Sequence, residues 1–188
     1  GQNFTYGFKA AGTVESLAQH TEFTTVVLDL QSESAETISS TRIRAAIISG
    51  DVESAREMLT RPHRLDGIVV HGEKRGREIG YPTANLGNID GQTIPADGVY
   101  AGWMHVDGQK MPTAISIGIN ETFQAVPRLA EAFVLDRKDL DLYDKVVDLE
   151  YVGFVRPAAK FNGVEDLVIS INNDIAKIRV LLGIGAGN

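Results

Sequence analysis

From Arg64 onward the chain is cut by glycine and proline into short runs rich in apolar and β-branched residues: 67–71, 98–106, 113–119, 132–135 and 146–154. Runs of that length, so regularly interrupted, are too short for a helical core and read as strands of a compact antiparallel barrel or sandwich. A different period closes the region. Between Gly163 and Leu182 the residues Leu167, Ile171, Ile175, Ile178 and Leu182 recur every three or four positions, the mark of an amphipathic helix whose stripe is expected to pack on the core.

The segment before Arg64 has another texture. Residues 14–19 suit a short helix, and the run Thr24-Thr25-Val26-Val27-Leu28-Asp29-Leu30 predicts a buried strand. The hydroxyls of Ile38-Ser39-Ser40-Thr41-Arg42-Ile43-Arg44 are natural caps for a helix carrying Ile43, Ala46 and Ile47 on one face. Gly50 can end it, and Asp51 can cap a second helix with Val52, Ala55, Met58 and Leu59 together and Pro62 beyond its end. Two such helices form a connector between domains. The 188 residues suffice for one domain and part of another.

Composition removes several function classes. There is no cysteine, hence no disulfide, thiolate metal site or cysteine nucleophile. The net charge of −7 weighs against nucleic acid, whose phosphates are met by clustered Lys and Arg. No apolar run approaches the roughly 20 residues of a membrane helix, so a cytoplasmic protein without a membrane partner is expected. His20, His63, His71 and His105 are scattered without metal-ligand spacing. Asp136, Asp139, Asp141, Asp144 and Asp148 lack calcium-loop spacing and read as a solvated face.

The chemistry concentrates between Gly67 and Asn85. A strand leads into a loop with Gly72, Gly76 and Gly80, followed by Pro82-Thr83-Ala84-Asn85. Glycines let backbone N–H groups approach an anion. The Thr83 hydroxyl suits Mg²⁺, a hard cation, and the Asn85 amide can serve the same cluster or fix the loop. Arg75 and Arg77 can reach phosphates or remain solvated. The spacing fits neither the Walker loop nor the dinucleotide fingerprint, so the residues alone leave a plain glycine-rich connection open.

The ordered run from Gly67 to Asn85, with Pro82-Thr83-Ala84-Asn85 intact at its end, resembles the signature of the riboflavin kinase family. Downstream segments are similar in the same order: Asp97-Gly98-Val99-Tyr100-Ala101-Gly102; Ile117-Gly118-Ile119-Asn120 with Thr122-Phe123; Glu131-Ala132-Phe133-Val134-Leu135-Asp136; Asp141-Leu142-Tyr143; Phe154-Val155-Arg156-Pro157; Lys160-Phe161; and Asp174 on the closing helix. Glu121 and Ala132 depart from the family pattern, which has proline at the first position and serine or histidine at the second. The resemblance covers about residues 60–183.

It implies a mainly β fold, a six-stranded antiparallel Greek-key barrel with a C-terminal helix. ATP would lie under the glycine loop, against Gly72, Gly76, Arg77, Gly80, Thr83 and Asn85, and the flavin ring on the other side. Thr83 and Asn85 would hold Mg²⁺, and Glu131 would be the general base that takes the proton of the riboflavin 5′-hydroxyl as FMN forms. Trp103 and Tyr100 could stack on flavin, with the barrel core the expected home of both. A non-catalytic flavin-binding barrel is the alternative.

The beginning of the chain resembles the end of the adenylyltransferase module that bacteria fuse to this kinase. Gly1-Gln2-Asn3-Phe4-Thr5-Tyr6-Gly7 and Ile38-Ser39-Ser40-Thr41-Arg42-Ile43-Arg44 carry that likeness, while the module's H-x-G-H motif occurs nowhere in the 188 residues. Residues 1–60 are therefore expected to be a partial α/β remnant with its helical connector, and residues 61–186 the kinase domain. FAD synthesis would need the rest of the module. The expected partners are small molecules, riboflavin and ATP, with the oligomeric state open.

Overall fold

The computed structural model describes residues 1–29, 32–33, 36–72, 74–118 and 129–185. The chain divides into two units, Gly1–Ser40 and Thr41–Asn188. In the first, strands β1 (Thr5–Tyr6) and β2 (Gly12–Thr13) pair antiparallel and lead into helix α1 (Val14–Ala18). A reciprocal cap starts that helix: the Ser16 amide donates to the Thr13 hydroxyl (3.4 Å) and the Thr13 amide to the Ser16 hydroxyl (2.9 Å). Strands β3 (Ser32–Glu33) and β4 (Glu36–Thr37) form a two-residue ladder.

The strand expected over 24–30 is not formed: residues 24–29 have no ladder partner, and residue 30 lies outside the described residues. Val26, Val27 and Leu28 are exposed there. An apolar run becomes a strand only where neighbours take up its N–H and C=O groups, and no described strand lies beside this one.

In the second unit α2 (Ser40–Ser49) and α3 (Val52–Leu59) meet at Gly50, whose φ of +88° is a turn geometry glycine adopts without strain. Asp51 caps α3 by accepting the Ser54 amide at 3.0 Å. Val52, Ala55 and Met58 are buried on one face of α3. Six strands follow, β5 (His63–Val70), β6 (Ala84–Gly87), β7 (Gly98–Val106), β8 (Gln109–Gly118), β9 (Leu129–Val134) and β10 (Val146–Pro157), with a single helical turn α4 (Arg75–Glu78) before β6 and the long α5 (Val164–Leu182) at the end. The strands close antiparallel in the circular order β10-β5-β6-β9-β8-β7. Because β10 returns to lie beside β7 after the β7-β8-β9 meander, the closure is a Greek key.

Pleating decides which side chains face the barrel axis. On β8, Met111, Thr113, Ile115 and Ile117 point inward, and on β9 Ala130, Ala132 and Val134 do the same. They join Leu65, Val69, Leu86, Tyr100, Met104, Leu149 and Tyr151 in one core. Each large apolar side chain so buried contributes about 1.5–3 kcal/mol. Tyr100 occupies that core, as expected. Trp103 does not: the pleat of β7 turns it outward, half-buried, with the Lys110 ammonium 4.9 Å from its ring centre.

On α5, Ile178 is buried and packs with Ala101 and Leu135, accompanied by Ile175 and Leu182. Leu167 and Ile171, in the earlier turns, instead line a cavity on the outer face of the barrel. The apolar stripe thus serves two surfaces in succession.

Candidate active site

The outward pleat of β9 presents Leu129, Glu131 and Phe133, while the buried Ala130 and Ala132 on either side of Glu131 fix its direction. On the neighbouring strand β6, Asn85 stands opposite Glu131 in the ladder. Thr83, just before that strand, donates its hydroxyl to Glu131 Oε2 at 3.1 Å. Residues 48 positions apart are thereby joined across one strand seam.

The glycine loop is built against these groups. A Cβ on Gly72 would lie 2.3 Å from Asn85 Nδ2, and one on Gly76 would lie 2.3 Å from the Tyr81 carbonyl oxygen. A side chain at Gly76 would strike backbone, and one at Gly72 would push the Asn85 amide out of its place. Gly80 turns the chain at φ +88°, and the Tyr81 amide closes the loop on the Gly76 carbonyl at 2.7 Å. Tyr81 then reaches across to α5, donating its hydroxyl to Asn172 Oδ1 at 2.9 Å and packing edge-on against Phe133.

These elements enclose a cavity of about 620 Å³. One end is polar, with Gly72, Lys74, Gly76, Thr83, Asn85 and Glu131. The other is largely apolar, with Val99 and Ala114 from the barrel wall facing Leu167, Ile171 and Ile175 of α5. An adjacent cavity of about 670 Å³ shares Ile79, Tyr81, Phe133 and Ile175 with it and adds Asp136, Lys138 and Asp139.

Of the residues singled out from the sequence, Gly72, Gly76, Thr83, Asn85 and Glu131 meet at this cavity, and Gly80 lines the adjacent one. Arg77 is exposed and lines neither cavity. The side chain of Arg75, and residues 119–128 with Asn120, Glu121, Thr122 and Phe123, lie outside the described residues. Asp136 accepts from Arg179 and Asp139 from Arg137. Among the described residues no group of three or more His, Asp or Glu side chains could hold a metal ion, and no helix is long and apolar enough to cross a membrane.

Sequence reasoning passed over three groups here. Lys74 is exposed and also lines the polar end. Arg156 and Asp174 stand in the cavity wall as an ion pair, with Arg156 Nε 3.0 and 2.9 Å from the two Asp174 oxygens. Their partnership crosses from β10 to α5, and no local pattern announces it.

The oxygen groups at the polar end, a hydroxyl, an amide carbonyl and a carboxylate, are hard donors of the kind Mg²⁺ takes alongside phosphates and water. The loop backbone, laid close to Asn85 at Gly72 and carrying Lys74, suits a polyanion. The residues present fit a magnesium–triphosphate group.

Comparison with known proteins identifies the family. The chain is 38% identical over 177 residues to the bifunctional riboflavin kinase/FMN adenylyltransferase of Listeria monocytogenes, covering 93% of this chain and 56% of that protein. It is 33% identical over 178 residues to the protein of the same description from Bacillus subtilis, again covering 93% and 56%. The chain thus spans just over half the length of these curated relatives. A crystal structure of a macrolide-efflux protein from Streptococcus pneumoniae superimposes with a TM-score of 0.86 at 35% identity, covering 95% of this chain and 58% of that one. The flavokinase model, which describes riboflavin kinases, matches residues 59–182, the span that holds the barrel, the glycine loop and α5, and the chain belongs to the riboflavin kinase family.

Proposed function

We propose that the chain transfers the γ-phosphoryl group of ATP to the 5′-hydroxyl of riboflavin, giving FMN and ADP. The observation that carries this reading is the contact between Thr83 and Glu131 in the wall of a cavity with one polar and one apolar end. The triphosphate belongs at the polar end and the uncharged ring of the acceptor at the apolar one.

A primary alcohol is a weak nucleophile, and phosphoryl transfer depends chiefly on alignment and on neutralising phosphate charge. Glu131, held on a strand between buried alanines, orients the acceptor hydroxyl and takes its proton as the O–P bond forms and the bond from the γ-phosphorus to the leaving oxygen of ADP breaks. Thr83 Oγ and Asn85 Oδ1 would hold Mg²⁺. When bound, the ion supplies positive charge against the triphosphate. Gly72 and Gly76 keep the loop backbone low over the phosphates, and Lys74 adds a charge at the same end. Arg77, exposed as it stands, serves the phosphates only in a closed loop.

We assign residues 61–186 to this kinase and residues 1–60 to the remnant of an adenylyltransferase module with its connector. A cytoplasmic enzyme working on small molecules, with neither nucleic acid nor membrane as partner, fits these assignments. One incubation tests the reading: the chain with riboflavin, ATP and Mg²⁺, resolved by chromatography into riboflavin, FMN and FAD. FMN alone is expected. Bound but unconverted riboflavin would make the chain a flavin-binding barrel, and FAD would require adenylyl transfer that this reading denies it.

A further inference from the structure

An arginine in the wall of a phosphoryl-transfer cavity invites assignment as a phosphate clamp. The bonding of Arg156 argues otherwise. Its Nε lies 3.0 and 2.9 Å from the two oxygens of Asp174, its second terminal nitrogen stands 2.9 Å from Oδ2, and Nη1 donates to the Pro157 carbonyl at 3.0 Å. The guanidinium also lies 5.5 Å from the centre of the Phe161 ring. Asp174 is only 5% exposed, so its charge is not dispersed into solvent but spent on Arg156. The pair is electrically neutral as a unit and offers a triphosphate no net charge.

Its position is informative. Arg156 pairs with Val99 in the β10–β7 ladder, and Val99 is part of the barrel wall of the cavity. Asp174 sits on α5 beside Ile175 and one turn from Ile171, which face that wall. The ion pair therefore ties the sheet to the helix at the apolar end, alongside the Tyr81–Asn172 hydrogen bond and the Arg179–Asp136 pair that hold α5 elsewhere along its length.

We infer that Arg156 and Asp174 are positioning residues that set the width of the slot receiving the flat ring of the acceptor, and that they take no part in holding phosphate. The inference rests on the riboflavin phosphotransfer reading above, because the cavity that holds Glu131 must receive the acceptor. Width matters for a planar ligand, since both faces need van der Waals contact at once and a gap of even half an ångström forfeits much of it on one side.

Steady-state kinetics on the full chain test this, with riboflavin and Mg-ATP varied separately for Arg156→Lys and Asp174→Asn. Arg156→Lys keeps the charge but loses the planar fork, and Asp174→Asn keeps the shape but loses the charge. The expected result is a riboflavin KM raised about tenfold or more, with the ATP KM and kcat within about twofold, the pattern of lost uniform binding. The double variant should be no worse than the poorer single one, because the two act as a unit. A rise confined to the ATP KM would overturn the inference in favour of a phosphate clamp. A lower melting temperature with both KM values unchanged would overturn it in favour of a brace for the fold alone. Should either variant fail to fold, Asp174→Glu retains the charge with one more methylene and should show the same split, smaller. If wild-type protein makes no FMN, the phosphotransfer reading fails by itself. Riboflavin affinity, read from quenching of its fluorescence, then decides the slot: weaker binding in the variants sustains it and unchanged binding overturns it.

Discussion

The Thr83 hydroxyl donates to Glu131 Oε2 at 3.1 Å across the seam where β6 meets β9. Neither residue is placed by a flexible loop on both sides: Glu131 stands mid-strand, and Thr83 is fixed between Pro82 and the first residue of β6. In the proposed reaction, with Thr83 on the metal and Glu131 taking the proton, this contact would bring the two halves of a phosphoryl transfer within one hydrogen bond of each other.

Replacing Glu131 with glutamine keeps the size of the side chain and an oxygen for Thr83 to donate to, but removes the proposed base. FMN formation is expected to fall by about 10²–10⁴-fold. Riboflavin and ATP should still bind with near wild-type affinity, which calorimetry on the variant checks. Loss of both bindings together would mean that Glu131 holds the site in shape instead of acting on the hydroxyl.

Thr83→Val and Thr83→Ser divide the hydroxyl from the methyl group. Valine preserves volume and removes the oxygen, and serine does the opposite. The valine variant should lose at least about tenfold in kcat and need more Mg²⁺ for half-maximal rate, whereas serine should stay within a few-fold of wild type. Titrating Mg²⁺ at saturating ATP and riboflavin gives the comparison.

Much of this was legible before the structure. The long strands β7, β8 and β10 and the helix α5 announce themselves by β-branched content or by a period of three to four, and the glycine loop by its punctuation. β6 did not. Ala84–Gly87 is four residues long, contains no β-branched or aromatic residue, and is a strand only because β5 and β9 flank it. The opposite failure occurred over residues 24–29, where composition favours a strand and the absence of a described neighbour denies it. In the site, Thr83 and Glu131 were each nameable from their local motifs, but their contact was not, being a product of barrel closure. Arg156 and Asp174 were harder still, because the pairing of a strand residue with a helix residue 18 positions on depends on how the helix docks.

Gly72→Ala tests the close approach in the loop. The added carbon would sit 2.3 Å from Asn85 Nδ2 and 2.7 Å from its Cγ, so the amide must swing away from β6. Catalysis should suffer more than stability: a fall in kcat/KM for ATP of about tenfold or more, with the melting temperature nearly unchanged because the Asn85 side chain can move at small cost. Gly91→Ala, where a Cβ meets nothing within 4 Å but φ is +79°, is the control for a backbone effect remote from the cavity and should leave kinetics alone.

On β10, Glu150 gathers three partners on the outer face of the barrel: Arg64 Nε donates to Oε2 at 3.1 Å, His105 Nε2 lies 3.1 Å from the same oxygen, and Lys110 Nζ donates to Oε1 at 2.9 Å. Burial opposes ionisation of this carboxyl, but its bonds to Lys110 and Arg64 outweigh burial and hold it below the ordinary glutamate value. A carboxylate whose proton affinity is lowered on folding stabilises the folded state fully above its unfolded pKa of about 4.3, and that contribution disappears as pH falls through the lower folded value. Glu150→Gln should therefore cost stability at neutral pH, by about 1–3 kcal/mol given that Arg64 and Lys110 are each about half exposed and partly screened. Below the ordinary glutamate value the gap between variant and wild type should narrow as pH falls, and it closes once pH has passed the lowered folded value and the wild-type carboxyl carries a proton as well. Thermal unfolding of both proteins at pH 7, 5, 4 and 3 measures it, and the difference between the curves removes the acid sensitivity of every other carboxylate. A gap that stayed constant down to pH 3 would show that Glu150 contributes through packing and not through its charge.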